Sequence, residues 1–143
     1  MSKTKLFYLK KGFRLRNRSG LKAFIEIIFK KEGVFLSELR IIFSSDKHLL
    51  SINKSYLKHN YYTDIITFNL SGPNEKKLDA EIYISVDRVR DNAKTNRVSF
   101  SKEIHRVIFH GALHLCGYND KLKSQRLIMR AKEDEYLNRY FVH

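Results

Sequence analysis

Two histidines and one aspartate in the segment 104–120 have the residue types and spacing of a metal site. His110 and His114 are four residues apart in an apolar stretch, so a helix would place both imidazoles on one face, one turn apart. Gly117 stands where the apolar pattern stops, and glycine readily adopts the left-handed conformation that ends a helix. We therefore expect the chain to reverse there and to bring the carboxylate of Asp120 back toward the two imidazoles.

A zinc ion suits this set of ligands. Two imidazoles and one carboxylate leave a fourth tetrahedral position for water, which is typical of a catalytic rather than a structural site. Two histidines at helical spacing also occur in proteins without any metal role. Cys116 is a competing ligand, but it is two residues from His114 and would point from another face of the helix, so we interpret it as a small buried hydrophobic residue.

The segment HGALHLCGYND, which contains all three candidate ligands, resembles the signature HGxLHLxGYDH of the YbeY family of bacterial zinc-dependent endoribonucleases. The resemblance implies one Zn²⁺ per chain, held by His110, His114 and Asp120, and no small-molecule cofactor. It also implies that these three residues act in catalysis through the metal-bound water. The expected activity is cleavage of single-stranded RNA during maturation of the 3′ end of 16S ribosomal RNA and in ribosome quality control. The expected partners are ribosomal RNA and the small ribosomal subunit with its proteins.

The chain departs from the family pattern at several positions. Asp120 stands where the family usually has a third histidine, and Asn119 where it usually has aspartate. Residues 52–56 resemble the family's LNxxYR stretch, but Leu57 replaces the arginine that the family ties to activity. Lys58 or His59 is a candidate to supply that positive charge, although an ordinary surface role is an equal alternative for His59. These departures keep open a second hypothesis, a ribosome-assembly RNA-binding protein with a structural zinc and little or no cleavage activity.

Gly111 argues against a third class of protein, the zinc peptidases. A peptidase with this ligand spacing carries glutamate as general base immediately after the first histidine, and this chain has glycine there. We expect the glycine to leave room beside the metal for a phosphate and a ribose.

Composition favours a polyanionic partner. The 143 residues carry a formal charge of +13, and such an excess favours nucleic acid because neutralised phosphates release condensed counterions. A basic segment near the amino end is a candidate RNA-backbone face, although a merely solvated surface is the alternative; its residues are Lys10, Lys11, Arg14, Arg16 and Arg18. The single cysteine and the lack of a long apolar run indicate a cytoplasmic protein that does not enter a membrane.

Hydrophobic patterns predict a single α+β domain over residues 1–143. About four strands alternate with four or five helices, and the resemblance implies a small mixed four-stranded sheet packed against them, with the zinc helix lining a cleft. A last helix is predicted from 122 to 141, and its expected apolar residues are Leu127, Ile128, Ala131, Tyr136 and Leu137.

Overall fold

The structure is a computed structural model that describes residues 2–142. Its strands are β1 (Thr4–Tyr8), β2 (Phe35–Ser44), β3 (Ile65–Asn69) and β4 (Lys77–Ser85). Its helices are α1 (Arg18–Lys31), α2 (Asp46–Tyr56), α3 (Val86–Asn96), α4 (Phe100–Leu115) and α5 (Lys123–Phe141). The predicted α+β class, with four strands and five helices, is therefore confirmed.

The four strands form one mixed sheet in the order β1-β2-β4-β3. The β1, β2 and β4 strands run parallel, whereas β3 is antiparallel to β4 and joins it through a hairpin. Successive side chains of a strand point to opposite faces, and the two faces are covered by different helices. The main core lies on the face that packs against α1 and α4, and α5 joins this core by packing against α4. A smaller cluster of Leu49, Ile52 and Ile66 packs α2 on the other face.

Helix α4 comes close to the sheet at Gly111, which is buried. A Cβ atom at this position would lie 2.7 Å from Cδ1 of Ile65 and 3.1 Å from Cδ1 of Ile82. The expectation that Gly111 leaves room for a phosphate and a ribose was wrong, because side chains of β3 and β4 fill that space. The glycine instead lets the helix backbone pack closely against the sheet. This packing sets the distance of α4 from the sheet and thereby the position of the histidines on the helix.

Helix α5 presents a different apolar stripe from the predicted one. Leu127 and Ile128 are 64% and 57% exposed, and Ala131 is also exposed, whereas Tyr136 and Leu137 are buried as expected. The inward stripe of α5 consists of Met129, Glu133, Tyr136, Leu137 and Tyr140. The helix thus buries one carboxylate among apolar side chains. Across residues 2–142, no helix is long and apolar enough to cross a membrane.

Candidate metal centre

Helix α4 places His110 and His114 on one face, as the sequence predicts. Their ring centroids are 4.5 Å apart, and both side chains are partly exposed. The helix ends at Leu115, and Gly117 has a φ of +106°, in the left-handed region that glycine adopts at little cost. The chain reverses at that glycine, as the sequence also predicts.

The reversal brings Asp120 to both imidazoles. Its Oδ2 atom lies 3.1 Å from Nε2 of His114 and 3.3 Å from Nε2 of His110. The three candidate ligand atoms lie within 4.8 Å of one another. Zinc bonds to nitrogen and oxygen are about 2.0–2.1 Å long, so a tetrahedral site has edges of about 3.3 Å between ligand atoms. The two carboxylate–imidazole separations match that spacing, and two nitrogens with one oxygen form a donor set that suits zinc.

Distant residues anchor the loop that carries Asp120. Tyr118 donates a hydrogen bond of 2.7 Å to Oε1 of Glu32, at the end of α1. Tyr136 of α5 donates a short hydrogen bond to the other oxygen of the same carboxylate. The guanidinium of Arg126 donates to the backbone oxygen of Lys121 over 2.7 Å. The third candidate ligand therefore sits on a short loop that is attached to both α1 and α5.

Glu133 of α5 orients the first histidine. Its Oε2 atom lies 2.5 Å from Nδ1 of His110, and its Oε1 atom accepts a hydrogen bond of 3.1 Å from Arg106. A proton on Nδ1 shared with Glu133 would leave the lone pair of Nε2, on the side of Asp120, free to bind a metal. Carboxylates commonly hold metal-binding histidines in this way. Glu133 was not among the site residues predicted from the sequence, although an acidic residue on a stripe otherwise made of Met129, Tyr136 and Tyr140 is a usable signal.

Charges around His110 set its protonation in the absence of a metal. Burial acts to lower the pKa of His110, but the hydrogen bond and negative charge of Glu133, with the charges of Asp120 and Asp64, raise it above its ordinary value. Metal binding requires a free Nε2, so protons compete with the metal at this histidine.

The candidate metal centre opens on a cleft of about 460 Å³. The α4 residues Glu103, Arg106, Val107 and His110 line it, which confirms that the helix carrying the two histidines lines a cleft. Asp64, just before β3, and the buried Glu103 also lie there, and burial raises the pKa of both carboxyls. Asp64 was not among the predicted site residues either, because an aspartate in a polar loop before a strand most often has only a local role.

The candidate catalytic residues Lys58 and His59, in the loop after α2, do not line this cleft. Lys58 has a φ of +56°, and the ring of His59 stacks on that of Tyr61 with centroids 5.1 Å apart. The cleft described above is lined by neither residue, nor by Leu57, which is 39% exposed at the end of α2. The role of Lys58 or His59 in catalysis stays a prediction.

The basic segment 10–18 connects β1 to α1 and does not reach the cleft lining. Lys10 forms an ion pair of 3.0 Å with Asp87, and the guanidinium of Arg14 lies 4.5 Å from the ring centre of Tyr8. Lys11, Arg16 and Arg18 are exposed.

Cys116 is half-buried, and burial raises its pKa to about 12, so it resembles an inert thiol more than a ligand.

Comparisons with known proteins agree with the geometry. The family model described as Endoribonuclease YbeY matches residues 11–141. The chain is 43% identical to Endoribonuclease YbeY of Cytophaga hutchinsonii, over 96% of this chain and 97% of that protein. It is 42% identical to the protein of the same name from Karelsulcia muelleri, over 92% of each chain.

A solved structure shares the fold. The solution structure of TM1509 from Thermotoga maritima superimposes with a TM-score of 0.68 at 27% sequence identity, over 96% of this chain and 89% of that one. The match of the family model over nearly the whole chain and these high identities show that the chain belongs to the YbeY family of endoribonucleases.

Proposed function

We propose that this protein is a zinc-dependent endoribonuclease that cleaves single-stranded RNA at the cleft between α4 and α5. The observation that carries the proposal is the convergence of His110, His114 and Asp120, with Oδ2 of Asp120 3.1–3.3 Å from both imidazole nitrogens. Membership of an endoribonuclease family supports an RNA substrate, and the charge of +13 supports a polyanionic one.

Each residue of the centre has a definite task in this proposal. When bound, a zinc ion supplies a water of lowered pKa and positive charge for the phosphodiester in the transition state. His110, His114 and Asp120 would hold that ion, and Glu133 holds the proton on Nδ1 of His110 so that Nε2 is free to bind. Asp64, whose pKa is raised by burial, can hold a proton beside the ligands at a higher pH than an ordinary aspartate.

The same geometry disfavours a peptidase. The glutamate that would act as general base in a zinc peptidase follows the first histidine directly, and Gly111 stands there with its missing side chain directed into the sheet. A glutamate at this position would have to displace Ile65 and Ile82.

We further propose that the substrate is ribosomal RNA, at the 3′ end of the 16S molecule, and that the protein works in the cytoplasm with the small ribosomal subunit and its proteins. The resemblance of the segment 110–120 to the YbeY signature supports this assignment. The exposed Lys11, Arg16 and Arg18 are candidates to contact RNA away from the cleft.

An RNA cleavage assay tests the main proposal. Purified protein is incubated with a single-stranded fragment from the 3′ end of 16S ribosomal RNA, with and without a chelator. His114→Ala should abolish cleavage while circular dichroism shows an unchanged fold. Lys58→Gln and His59→Ala, outside the cleft, are assayed in parallel, and a loss of activity at unchanged zinc content would support the predicted role of that loop. Equal cleavage by wild type and His114→Ala would remove the enzyme proposal.

Metal analysis separates the enzyme from a binding protein. We expect about one zinc per wild-type chain and a lower content in Asp120→Ala. Unchanged zinc in that variant would remove Asp120 from the ligand set. A wild-type protein that keeps zinc and binds RNA without cleaving it would favour the assembly-factor alternative, for which the replacement of the family arginine by Leu57 is the motivating observation.

A further inference from the structure

One wall of the cleft is basic and comes from α5. Lys123, Arg126 and Arg130 line the same cleft as His110 and Asp120, and they are spaced by three and four residues. Residues at this spacing lie on one helix face. We call these three residues the α5 basic row. The lining of the cleft also includes the carboxylates of Asp64 and Glu103, and that of Glu133 on α5 itself.

The cations of the cleft do not all have the same freedom to bind a ligand. Arg126 donates to the backbone oxygen of Lys121, and Arg106 is held by Glu133 at 3.1 Å and Asp134 at 2.8 Å. Two carboxylates therefore compensate the charge of Arg106, and backbone oxygens hold Arg126 at one of its guanidinium nitrogens.

Lys123 and Arg130 are the available charges of the row. Within residues 2–142, no carboxylate lies within 4.0 Å of the ammonium group of Lys123. The side chain of Arg130 is 62% exposed, and its nearest ion pair is a long one of 3.9 Å to Glu133. Both side chains can therefore turn toward an anion in the cleft at little cost.

Their separation decides what they can bind. Seven residues of α-helix rise about 10.5 Å, and this separation of the two backbone positions lets each long side chain reach a different phosphate. The exposed Leu127 lies between them in the same wall and offers an apolar surface for a ribose or a base. The two positive charges, their spacing and the apolar surface of Leu127 together fit a polynucleotide strand that lies along α5.

We propose that Lys123 and Arg130 bind two different phosphates of the RNA strand, on either side of the phosphodiester at the metal centre. The two residues thus set the direction and register of the strand across the ligands. The inference rests on the proposed function, since it takes RNA as the substrate of this cleft. Lys123 and Arg130 are positioning residues in this scheme and hold none of the candidate ligands.

Salt dependence of binding provides the test. Zinc-loaded protein is titrated into a fluorescent 2′-O-methyl RNA 12-mer at several salt concentrations, and a gel confirms that the oligonucleotide stays intact. Each phosphate contact to a single strand contributes about 0.7 to the slope of log K against log salt. We expect Lys123→Gln and Arg130→Gln each to lower the slope by about 0.7 and the double variant to lower it by about 1.4. Arg130→Lys should keep the wild-type slope because it keeps the charge.

Arg139→Gln is the matched control, because it removes an exposed arginine from the last turn of the same helix. Arg139→Gln should leave the salt slope unchanged. A decrease in slope equal to that of the Lys123 and Arg130 variants would show a diffuse effect of net charge and would overturn the assignment of phosphate contacts to these two residues. Wild-type cleavage of RNA with unaltered slopes in both glutamine variants would overturn this inference alone. A wild type that neither binds nor cleaves RNA would overturn the proposed function together with it.

Discussion

Substitution of Glu133 by glutamine tests how the first candidate ligand is held. Glu133 is 4% exposed and serves two donors with two different oxygens: Nδ1 of His110 at 2.5 Å and Arg106 at 3.1 Å. Glutamine has nearly the same shape but only one acceptor oxygen. Whichever way the amide is oriented, its NH₂ group must face one of the two donors.

The expected loss is in metal affinity. Removal of a carboxylate that orients a metal-binding histidine typically lowers affinity 10- to 100-fold, or about 1.4–2.7 kcal/mol. We expect Glu133→Gln to fall in this range if its amide oxygen stays on Arg106, because Nδ1 of His110 then faces an NH₂ group. If the oxygen turns to His110 instead, the neutral amide still polarises the imidazole less than a carboxylate does, and the loss should lie near the lower limit.

Competition between the protein and a chromophoric zinc chelator measures the affinity. Asp134→Asn is the matched control, because Asp134 is the other carboxylate that holds Arg106, at 2.8 Å, and it makes no contact with His110 in the described structure. This variant should bind zinc within about twofold of wild type. Wild-type affinity in Glu133→Gln, or an equal loss in Asp134→Asn, would refute the assigned role of Glu133.

Three further predictions concern packing, acid stability and thiol reactivity. Gly111→Ala places a Cβ atom 2.7 Å from Cδ1 of Ile65, and this overpacking should cost about 1–3 kcal/mol, offset by up to about 1 kcal/mol because alanine is the better helix former. The free energy of unfolding from a urea titration should therefore fall by up to about 2 kcal/mol, and a raised midpoint would contradict the close packing of α4. Burial acts to raise the pKa of Glu32, but hydrogen bonds, chiefly from Tyr136, hold it below its ordinary value. The stability that Glu32 contributes is therefore present above the unfolded pKa of about 4.3 and is lost as the pH falls through the folded pKa. The difference in unfolding free energy between wild type and Glu32→Gln should shrink in acid. A difference that grew in acid would refute the pairing of Glu32 with Tyr136. Because burial raises the pKa of Cys116 to about 12, its alkylation at pH 8 should be at least about a hundredfold slower in the folded than in the urea-unfolded protein, and equal rates would show an accessible thiolate.

The local features of the metal centre could be read from the sequence because each depends on residues close together in the chain. The spacing of His110 and His114 and the glycine at 117 needed only the geometry of one helix and its end. The convergence of Asp120 followed from the same short segment, since a reversal at one glycine leaves a residue three positions later little choice of direction. The α+β class likewise followed from the periodicity of apolar residues along successive elements.

The errors came from features that local patterns leave undetermined. Two apolar stripes are possible on α5, and the one containing Leu127 and Ile128 has the larger aliphatic side chains. The fold buries the other stripe, and Glu133 can be buried there because His110 and Arg106 compensate its charge. Gly111 was assigned to the substrate side for a similar reason, since the direction of a missing side chain is known only once the helix is docked on the sheet.

The sequence by itself determined which residues could bind a metal, and that they lie on one helix and in the turn after it. The tertiary structure alone decided which contacts hold those candidate ligands in place. Glu133 reaches His110 from 23 residues further along the chain, and Glu32 reaches Tyr118 across 86 residues. Such pairs depend on how α1, α4 and α5 pack around one core, and packing between distant segments leaves no fixed spacing in the sequence from which these contacts could be predicted.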